Sequence, residues 1–196
     1  VLLGITKVTL YKIFQIDNIV ILLEEYGRYD DISTSDFSKT IGWFTNMYPI
    51  ITQCSDDIME CILSTKHSKA DVPAHGLTYL HESQKYDKIK PDIIFNYMGE
   101  VDSEQKNITL LDTGNNSSPL NDINGKISIN ISMIKNELVI NLTSNNYVIN
   151  NVQLELFKST FLNISEEIFK NLSVDNQNYS SSLEIDDSNI INGLEF

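Results

Sequence analysis

The feature that most constrains this chain is an unbroken aliphatic run, Ile19 to Leu23, which ends in two glutamates. A short run of β-branched and aliphatic residues without polar alternation is typical of a strand that is covered on both faces. The preceding segment, Leu2 to Phe14, places apolar residues around more than half of a helical wheel. This pattern predicts a helix buried between other elements, which begins without a cap, as if cut from a longer chain. A buried helix followed by a buried strand indicates an α/β fold.

The next segments predict an irregular stretch and a second helix. Pro49 lies within the apolar stretch Ile41 to Ile51 and excludes an interior helix position or a central strand, so we expect an irregular segment and then a short extended piece. Ser55 is predicted to cap a helix that ends near His67. Its first turn holds Asp56 and Asp57, and its predicted buried stripe consists of Ile58, Met59, Ile62 and Leu63.

The second half of the chain alternates between loops and regular elements. Pro73 and Gly76 mark a loop, followed by a short helix through Gln84 and a strand from Asp92 to Tyr97. Residues 103–122 resemble a loop. A hairpin with one buried face is predicted around a Lys135-Asn136 turn, with its apolar residues Ile127, Ile129, Ile131 and Met133 on the first strand and Leu138, Ile140 and Leu142 on the second. A helix is predicted over Asn151 to Leu172; its apolar residues at helical spacing are Val152, Leu156, Phe157, Leu162, Ile164, Ile168 and Phe169.

Charge and cysteine content exclude several classes of protein. With 27 acidic and 14 basic side chains the net charge is −13, which argues against a simple nucleic-acid binder or a polybasic membrane reader, because both need positive charge. No apolar run approaches the roughly 18 residues that span a bilayer, and the first residues lack the features of a signal peptide. Cys54 and Cys61 are too few for a disulfide framework and lack zinc-site spacing, so we expect a cytoplasmic protein.

Familiar site motifs are absent from the sequence. It has no phosphate-binding or dinucleotide glycine loop, no H-E-x-x-H, no C-x-x-C and no G-x-S-x-G. His67, His75 and His81 are not spaced as a ligand pair on a helix, so surface or loop positions are the expected ones.

Polar residues at two strand ends are candidates for chemistry. Glu24 ends the aliphatic run beside a glycine turn, where partial desolvation would raise its pKa and allow it to act as a general base or acid. Alternatively, Glu24 is a solvated carboxylate whose pKa is lowered by pairing with Arg28. Asn96 and Tyr97 end the other predicted strand, and they either contact a ligand or serve as a turn-capping amide and a buried hydroxyl.

Trp43 and Phe44 have an ordinary structural interpretation. Both rings follow Gly42 in the apolar stretch, and core packing is the expected role of the two.

Four stretches, in order, resemble motifs in the C-terminal half of the epimerization domains of nonribosomal peptide synthetases, which are relatives of condensation domains. They are EEYGRY (24–29), similar to E-G-H-G-R-E; KTIGWFTNMYP (39–49), similar to R-T-V-G-W-F-T-x-x-Y-P; PAHGLTYL (73–80), similar to P-x-x-G-x-G-Y-G; and FNYMGEVD (95–102), similar to F-N-Y-L-G-Q-F-D. The H-Q-D-x-P-F-E stretch that is more typical of condensation domains is absent near residues 65–85. The resemblance therefore favours the epimerization branch.

This resemblance implies a fold and a reaction. The family fold is two chloramphenicol-acetyltransferase-like α/β halves around a cleft, so residues 1–172 would be the C-terminal subdomain, a mixed sheet flanked by helices, and residues 173–196 a linker or tail. The reaction is L-to-D inversion of the α-carbon of an aminoacyl or peptidyl thioester. Glu24 would transfer the proton on one face, and a histidine of an H-H-x-x-x-D-G motif in the other half on the opposite face. Asn96 and Tyr97 would position the substrate or stabilise the enolate.

The resemblance also implies partners. The substrate would be carried on the phosphopantetheine of a peptidyl carrier protein, with no cofactor bound directly by this chain. Further partners would be the N-terminal half and adjacent synthetase modules, with no nucleic acid or membrane, and we expect the isolated half to self-associate through its uncovered surface.

Departures from the family pattern keep alternatives open. Tyr26 replaces a histidine, Tyr29 a glutamate and Lys39 an arginine, and Thr78, Glu100 and Val101 also differ. Because Tyr26 and Tyr29 flank Glu24, its hydrogen bonding and pKa are expected to differ from the family's. A non-catalytic scaffold that binds carrier proteins is the alternative, and a condensation-type domain that forms peptide bonds is a third hypothesis.

Overall fold

The computed structural model describes residues 1–29, 36–82, 89–101, 125–135, 137–144 and 149–175. The elements in chain order are α1 (Leu2–Phe14), β1 (Asn18–Glu25), β2 (Asn46–Gln53), α2 (Ile58–Ala70), a 3₁₀ turn (Pro73–Gly76), α3 (Tyr79–Glu82), β3 (Ile93–Val101), β4 (Ile127–Ile134), β5 (Glu137–Ser144) and α4 (Asn151–Asp175). In the part of the chain that is described, no helix is long and apolar enough to cross a membrane.

The strands form one mixed sheet in the order β2-β1-β3-β4-β5. β1, β3 and β4 are parallel, whereas the two edge strands β2 and β5 pair antiparallel with their neighbours. The carboxyl ends of the three parallel strands therefore meet at one edge, where ligands bind in open α/β sheets. The α/β prediction and the mixed sheet flanked by helices are confirmed.

The core lies between one face of the sheet and the helices. Alternate strand residues are buried on this face, and the helices α1, α2, α3 and α4 all contribute residues to the same cluster. α1 lies deepest, with every residue from Leu3 to Leu10 buried, as predicted for a helix between other elements. On the opposite face Val20, Leu22 and Ile94 are only half-buried. The described helices thus cover one face of β1, not the two that its aliphatic run predicted.

Pro49 lies within β2, where it is in register with Leu22 of β1. The extended piece is therefore a full strand of eight residues, preceded by irregular structure. An edge strand tolerates proline because the missing N–H can face away from the ladder.

The start and the buried side of α2 differ from the prediction. Asp57, not Ser55, caps the helix, since its carboxylate accepts from the backbone N–H of Met59 (2.8 Å) and Glu60 (3.0 Å). Leu63 is about half exposed and Met59 more so, and the helix continues to Ala70 past His67. Ile58 and Ile62 of the predicted stripe are half-buried, and the fully buried positions are Cys61 and Thr65.

A buried lysine explains why the inner side of α2 is polar. The Nζ of Lys7 in α1 lies within hydrogen-bond distance of Thr52 Oγ1 (2.8 Å), the Cys61 carbonyl (2.9 Å), Ser64 Oγ (2.7 Å) and Thr65 Oγ1 (3.0 Å), so its three N–H groups are shared among four acceptors. Burial lowers the pKa of Lys7. An apolar pattern cannot locate such a face, because the side of α2 turned toward Lys7 supplies hydroxyl and carbonyl oxygens in place of aliphatic carbon.

The last three elements follow the sequence more closely. The β4–β5 hairpin turns at Lys135 as predicted, and Ile127, Ile129 and Ile131 are buried. In α4 the buried apolar residues are Phe157, Phe161 and Ile164. The prediction for α4 was wrong at Val152, Leu156 and Leu162, which are exposed. α4 runs to Asp175; the helix end at Gln84, the loop over 103–122 and residues 176–196 lie outside the described residues.

Cys54 makes the stability of the chain sensitive to alkaline pH. Burial raises the pKa of its thiol from 9.0 to about 11. Between those values the unfolded chain loses a proton that the folded chain keeps, so the free energy of unfolding falls as pH rises. We expect a loss of about 2 kcal/mol by pH 11 from this group. Urea unfolding at pH 8 to 11 should show a shallower decline for Cys54→Ala; equal slopes would contradict the assignment.

Candidate active site

Glu24 and Glu25, at the end of β1, lie on opposite faces of the sheet. Glu25 is on the helix-covered face, where Tyr48 donates its hydroxyl proton to Oε2 at 2.6 Å and Lys69 forms an ion pair with Oε1. The Tyr29 hydroxyl is 3.5 Å from the same Oε2. Glu25 therefore connects β1 to β2 through Tyr48 and to the end of α2 through Lys69. Its charge is compensated within the fold by the ion pair with Lys69.

Glu24 lies on the face that the described helices leave uncovered. Its carboxylate is half-buried and accepts no hydrogen bond from any described residue. Burial raises its pKa, because desolvation disfavours the charged form and no described partner compensates. A carboxylate in this state is suited to proton transfer.

Arg28 does not pair with Glu24. Its guanidinium donates to the carbonyl oxygens of Phe37 and Thr40, the latter at 2.6 Å, and stacks 3.8 Å from the centre of the Phe44 ring. The pairing that would lower the pKa of Glu24 is therefore not formed. Arg28 instead holds the chain that leaves β1 against residues 37–44.

Trp43 lies outside the core. It was expected in the core, but its side chain is 89% exposed. Phe44 beside it is half-buried and carries Arg28 on its ring. The segment that contains both rings is thus held by the contact of Phe44 with Arg28, and the indole of Trp43 lies in solvent.

Asn96 is the register partner of Glu24 on the neighbouring parallel strand β3. Register partners in adjacent strands project from the same face, so Asn96 lies on the same face as Glu24. We call this face, which no described helix covers, the open face. Its amide is half-buried and makes no side-chain hydrogen bond with a described residue. The structure therefore brings these two candidates together.

Tyr97 lies apart from this pair. It is in register with Ile131, which is fully buried on the helix-covered face, and its own side chain is 41% exposed. A bulge follows between Tyr97 and Glu100, and Gly99 there has a φ of 72°. Alternation thus places Tyr97 at the edge of the other face, next to the irregular end of β3.

The two tyrosines that depart from the family motif are turned to other partners. Tyr26 is 69% exposed. Tyr29 stacks on His75, with ring centroids 4.1 Å apart and planes 10° apart, and its hydroxyl approaches Glu25. The residue of this motif that Tyr29 influences is therefore Glu25.

Asn130 was not among the residues selected from the sequence, although it extends the same row. It is in register with Asn96 on β4 and is half-buried. In the sequence, Asn130 is one of the polar residues that alternate with apolar ones along the first hairpin strand. This alternation does not reveal that the strand lies beside β3. No cluster of metal-binding side chains occurs among the described residues.

The sheet order and the open face that carries Glu24 define a chloramphenicol-acetyltransferase-like half-domain. A family model described as "Condensation domain" matches residues 1–190. The chain therefore belongs to the condensation domain family.

Its relatives are very large enzymes of which it spans a small part. Bacitracin synthase 2 of Bacillus licheniformis is 32% identical over 139 residues, which are 65% of this chain and 5% of that protein. Gramicidin S synthase 1 of Brevibacillus brevis is 36% identical over 104 residues, or 46% of this chain and 9% of that protein.

Solved structures of both branches of the family share the fold. The epimerization domain from the third module of tyrocidine synthetase B matches with a TM-score of 0.70 and 24% identity, over 83% of this chain and 39% of that one. The starter condensation domain of the rhizomide synthetase matches with a TM-score of 0.52 and 11% identity, over the same shares. The chain thus spans well under half of either solved domain.

Proposed function

We propose that this chain is the C-terminal half of an epimerization domain, which inverts the α-carbon of an aminoacyl or peptidyl thioester from L to D. The observation that carries the proposal is Glu24, a half-buried carboxylate with a raised pKa and no described partner, on the open face of the sheet. Two further observations favour this branch. The TM-score is 0.70 with an epimerization domain and 0.52 with a starter condensation domain. The H-Q-D-x-P-F-E stretch that is more typical of condensation domains is absent near residues 65–85.

The chemistry requires a proton-transfer group on each side of a planar intermediate. Glu24 removes the α-proton and becomes a neutral carboxylic acid, and the electron pair of the broken C–H bond moves into the thioester as an enolate. Asn96, the neighbour of Glu24, donates an N–H to the enolate oxygen. A group from the other half, a histidine in the family pattern, returns a proton to the opposite face. The reaction neither oxidises nor reduces the substrate and needs no cofactor from this chain.

The partners of this function follow from the chemistry. The thioester is presented on the phosphopantetheine arm of a peptidyl carrier protein, and the N-terminal half closes the cleft over the open face. Because proton transfer needs both walls, the isolated half is expected to be inactive and to cover its open face by self-association.

A non-catalytic scaffold that binds carrier proteins is the second candidate. The engagement of Tyr29 with His75 and Glu25 favours it, because this residue replaces a glutamate of the family motif. Such a scaffold would retain the contacts with the carrier and lose the reaction.

One experiment separates the candidates. The intact domain, with both halves, is incubated in heavy water with a carrier-bound aminoacyl thioester, and deuterium at the α-carbon is measured by mass spectrometry. Epimerization predicts uptake above the carrier-only background together with formation of the D-isomer. Carrier binding without uptake would show a scaffold, and acceptor-dependent product formation without uptake would show a condensation domain.

A further inference from the structure

Three half-buried polar side chains form a transverse row across the open face of the sheet, and the exposed Asn141 on edge strand β5 continues it. The parallel register joins Glu24 of β1 to Asn96 of β3, and Asn96 to Asn130 of β4. Adjacent strands are about 4.8 Å apart, so Asn130 lies about 10 Å from Glu24 along a line perpendicular to the strands.

The side-chain amide of Asn130 makes fewer hydrogen bonds with the described residues than it could. Its amide donates one N–H to Ser128 Oγ at 3.3 Å, and its side-chain oxygen accepts nothing from the described residues. The side chain is half-buried, so part of this polar surface has been taken from water without a protein partner. A ligand that supplies both a donor and an acceptor would complete it.

The polar row is local and is not part of a uniformly solvated face. One row nearer the strand starts, the same face carries Pro49, Leu22 and Ile94 in consecutive register, and on β4, beside Asn130, the row ends in Ser128. Leu22 and Ile94 are half-buried apolar side chains. An apolar border beside a short line of convergent polar groups is the usual composition of a small-molecule site.

We propose that Asn130 is a substrate-binding residue that hydrogen-bonds the first amide of the phosphopantetheine arm; this rests on the proposed function. With the α-carbon at Glu24 and the thioester carbonyl at Asn96, the sulfur and two methylenes beyond the carbonyl extend about 5 Å before reaching that amide. This distance matches one further strand spacing and ends at Asn130. The amide N–H of the arm donates to the carboxamide oxygen of Asn130.

The test uses the intact domain and two small thioesters of the same amino acid. The N-acetylcysteamine thioester contains the amide, and the pentanethiol thioester replaces it with methylenes. Deuterium uptake should be about tenfold faster in kcat/KM with the amide, and Asn130→Ala should lose about tenfold with this thioester alone. Asn141→Ala is the matched control, since Asn141 is the exposed register partner of Asn130 on edge strand β5 and should keep wild-type rates.

Each outcome decides the assignment. Loss confined to Asn130→Ala with the amide substrate supports it, because a merely structural defect would slow both thioesters alike. An equal loss with both thioesters, an equal loss in Asn141→Ala, or no preference for the amide in the wild-type domain would overturn it. Absence of uptake with either thioester in the wild-type domain would overturn the proposed function itself.

Discussion

Replacing Glu24 with glutamine in the intact domain is expected to lower α-deuterium uptake by about 10²- to 10⁴-fold, the usual contribution of a positioned general base. The substitution keeps the size of the side chain and removes its basicity. Because Glu24 makes no hydrogen bond with a described residue, the urea midpoint of Glu24→Gln should stay close to that of the wild type. Uptake is measured by mass spectrometry on a carrier-bound aminoacyl thioester.

The adjacent glutamate is a matched control for this experiment. Glu25→Gln changes the same atoms one residue away, but on the other face of the sheet, where the carboxylate holds Tyr48 and Lys69. We expect Glu25→Gln to lower stability and to keep most of the uptake per folded molecule. If both variants lose uptake equally, Glu24 has no special role in proton transfer.

The pH profile gives a second readout on Glu24. As a base it works only when ionised, so the rate should fall as pH falls through its pKa. Burial raises that pKa above the ordinary glutamate value of 4.5, so the acidic limb of kcat/KM should lie above this value. An acidic limb at or below it would argue against Glu24 as the base.

Short local patterns were sufficient to predict the elements that carry the site. The aliphatic run before Glu24 and the DIIFNY stretch each predict a strand. β1 ends one residue after Glu24 as predicted, whereas β3 continues past Asn96 and Tyr97 to Val101. The proximity of Glu24 and Asn96 additionally requires that β1 and β3 be neighbours in register. No periodicity within either strand contains that information, although a family resemblance does.

The failures have separate physical causes. An apolar periodicity identifies the buried side of a helix only if the facing surface is apolar, and in α2 the facing group is the ammonium of Lys7. Ser55 was the predicted cap of α2 and Asp57 is the observed one. Both residue types can cap a helix, so the residue at which the helix begins decides between them. The size of Trp43 alone predicts a core position. Its segment is instead held by the cation–π contact between Arg28 and Phe44, which are distant in the sequence.

Gly27→Ala is expected to destabilise the chain by about 3 kcal/mol, because a Cβ on this residue would overlap the carbonyl oxygen of Phe44. The obstacle is backbone and cannot rotate away as a side chain would. The exit of β1 would have to separate from residues 37–44, which would also release the contacts of Arg28 and widen the site beside Glu24. We expect uptake in the intact domain to fall along with stability.

Gly125→Ala provides the comparison for this substitution. The nearest atoms to a Cβ there are at 3.4 Å, an ordinary contact distance, so its stability should change by less than about 1 kcal/mol. Urea unfolding of the two variants measures the difference directly. Equal midpoints would mean that β1 can leave the sheet by another route, and that the closeness of Gly27 to Phe44 does not fix the position of Glu24. A large separation would show that the glycine of this motif is required by the close approach of two backbones at the end of the strand that carries the base.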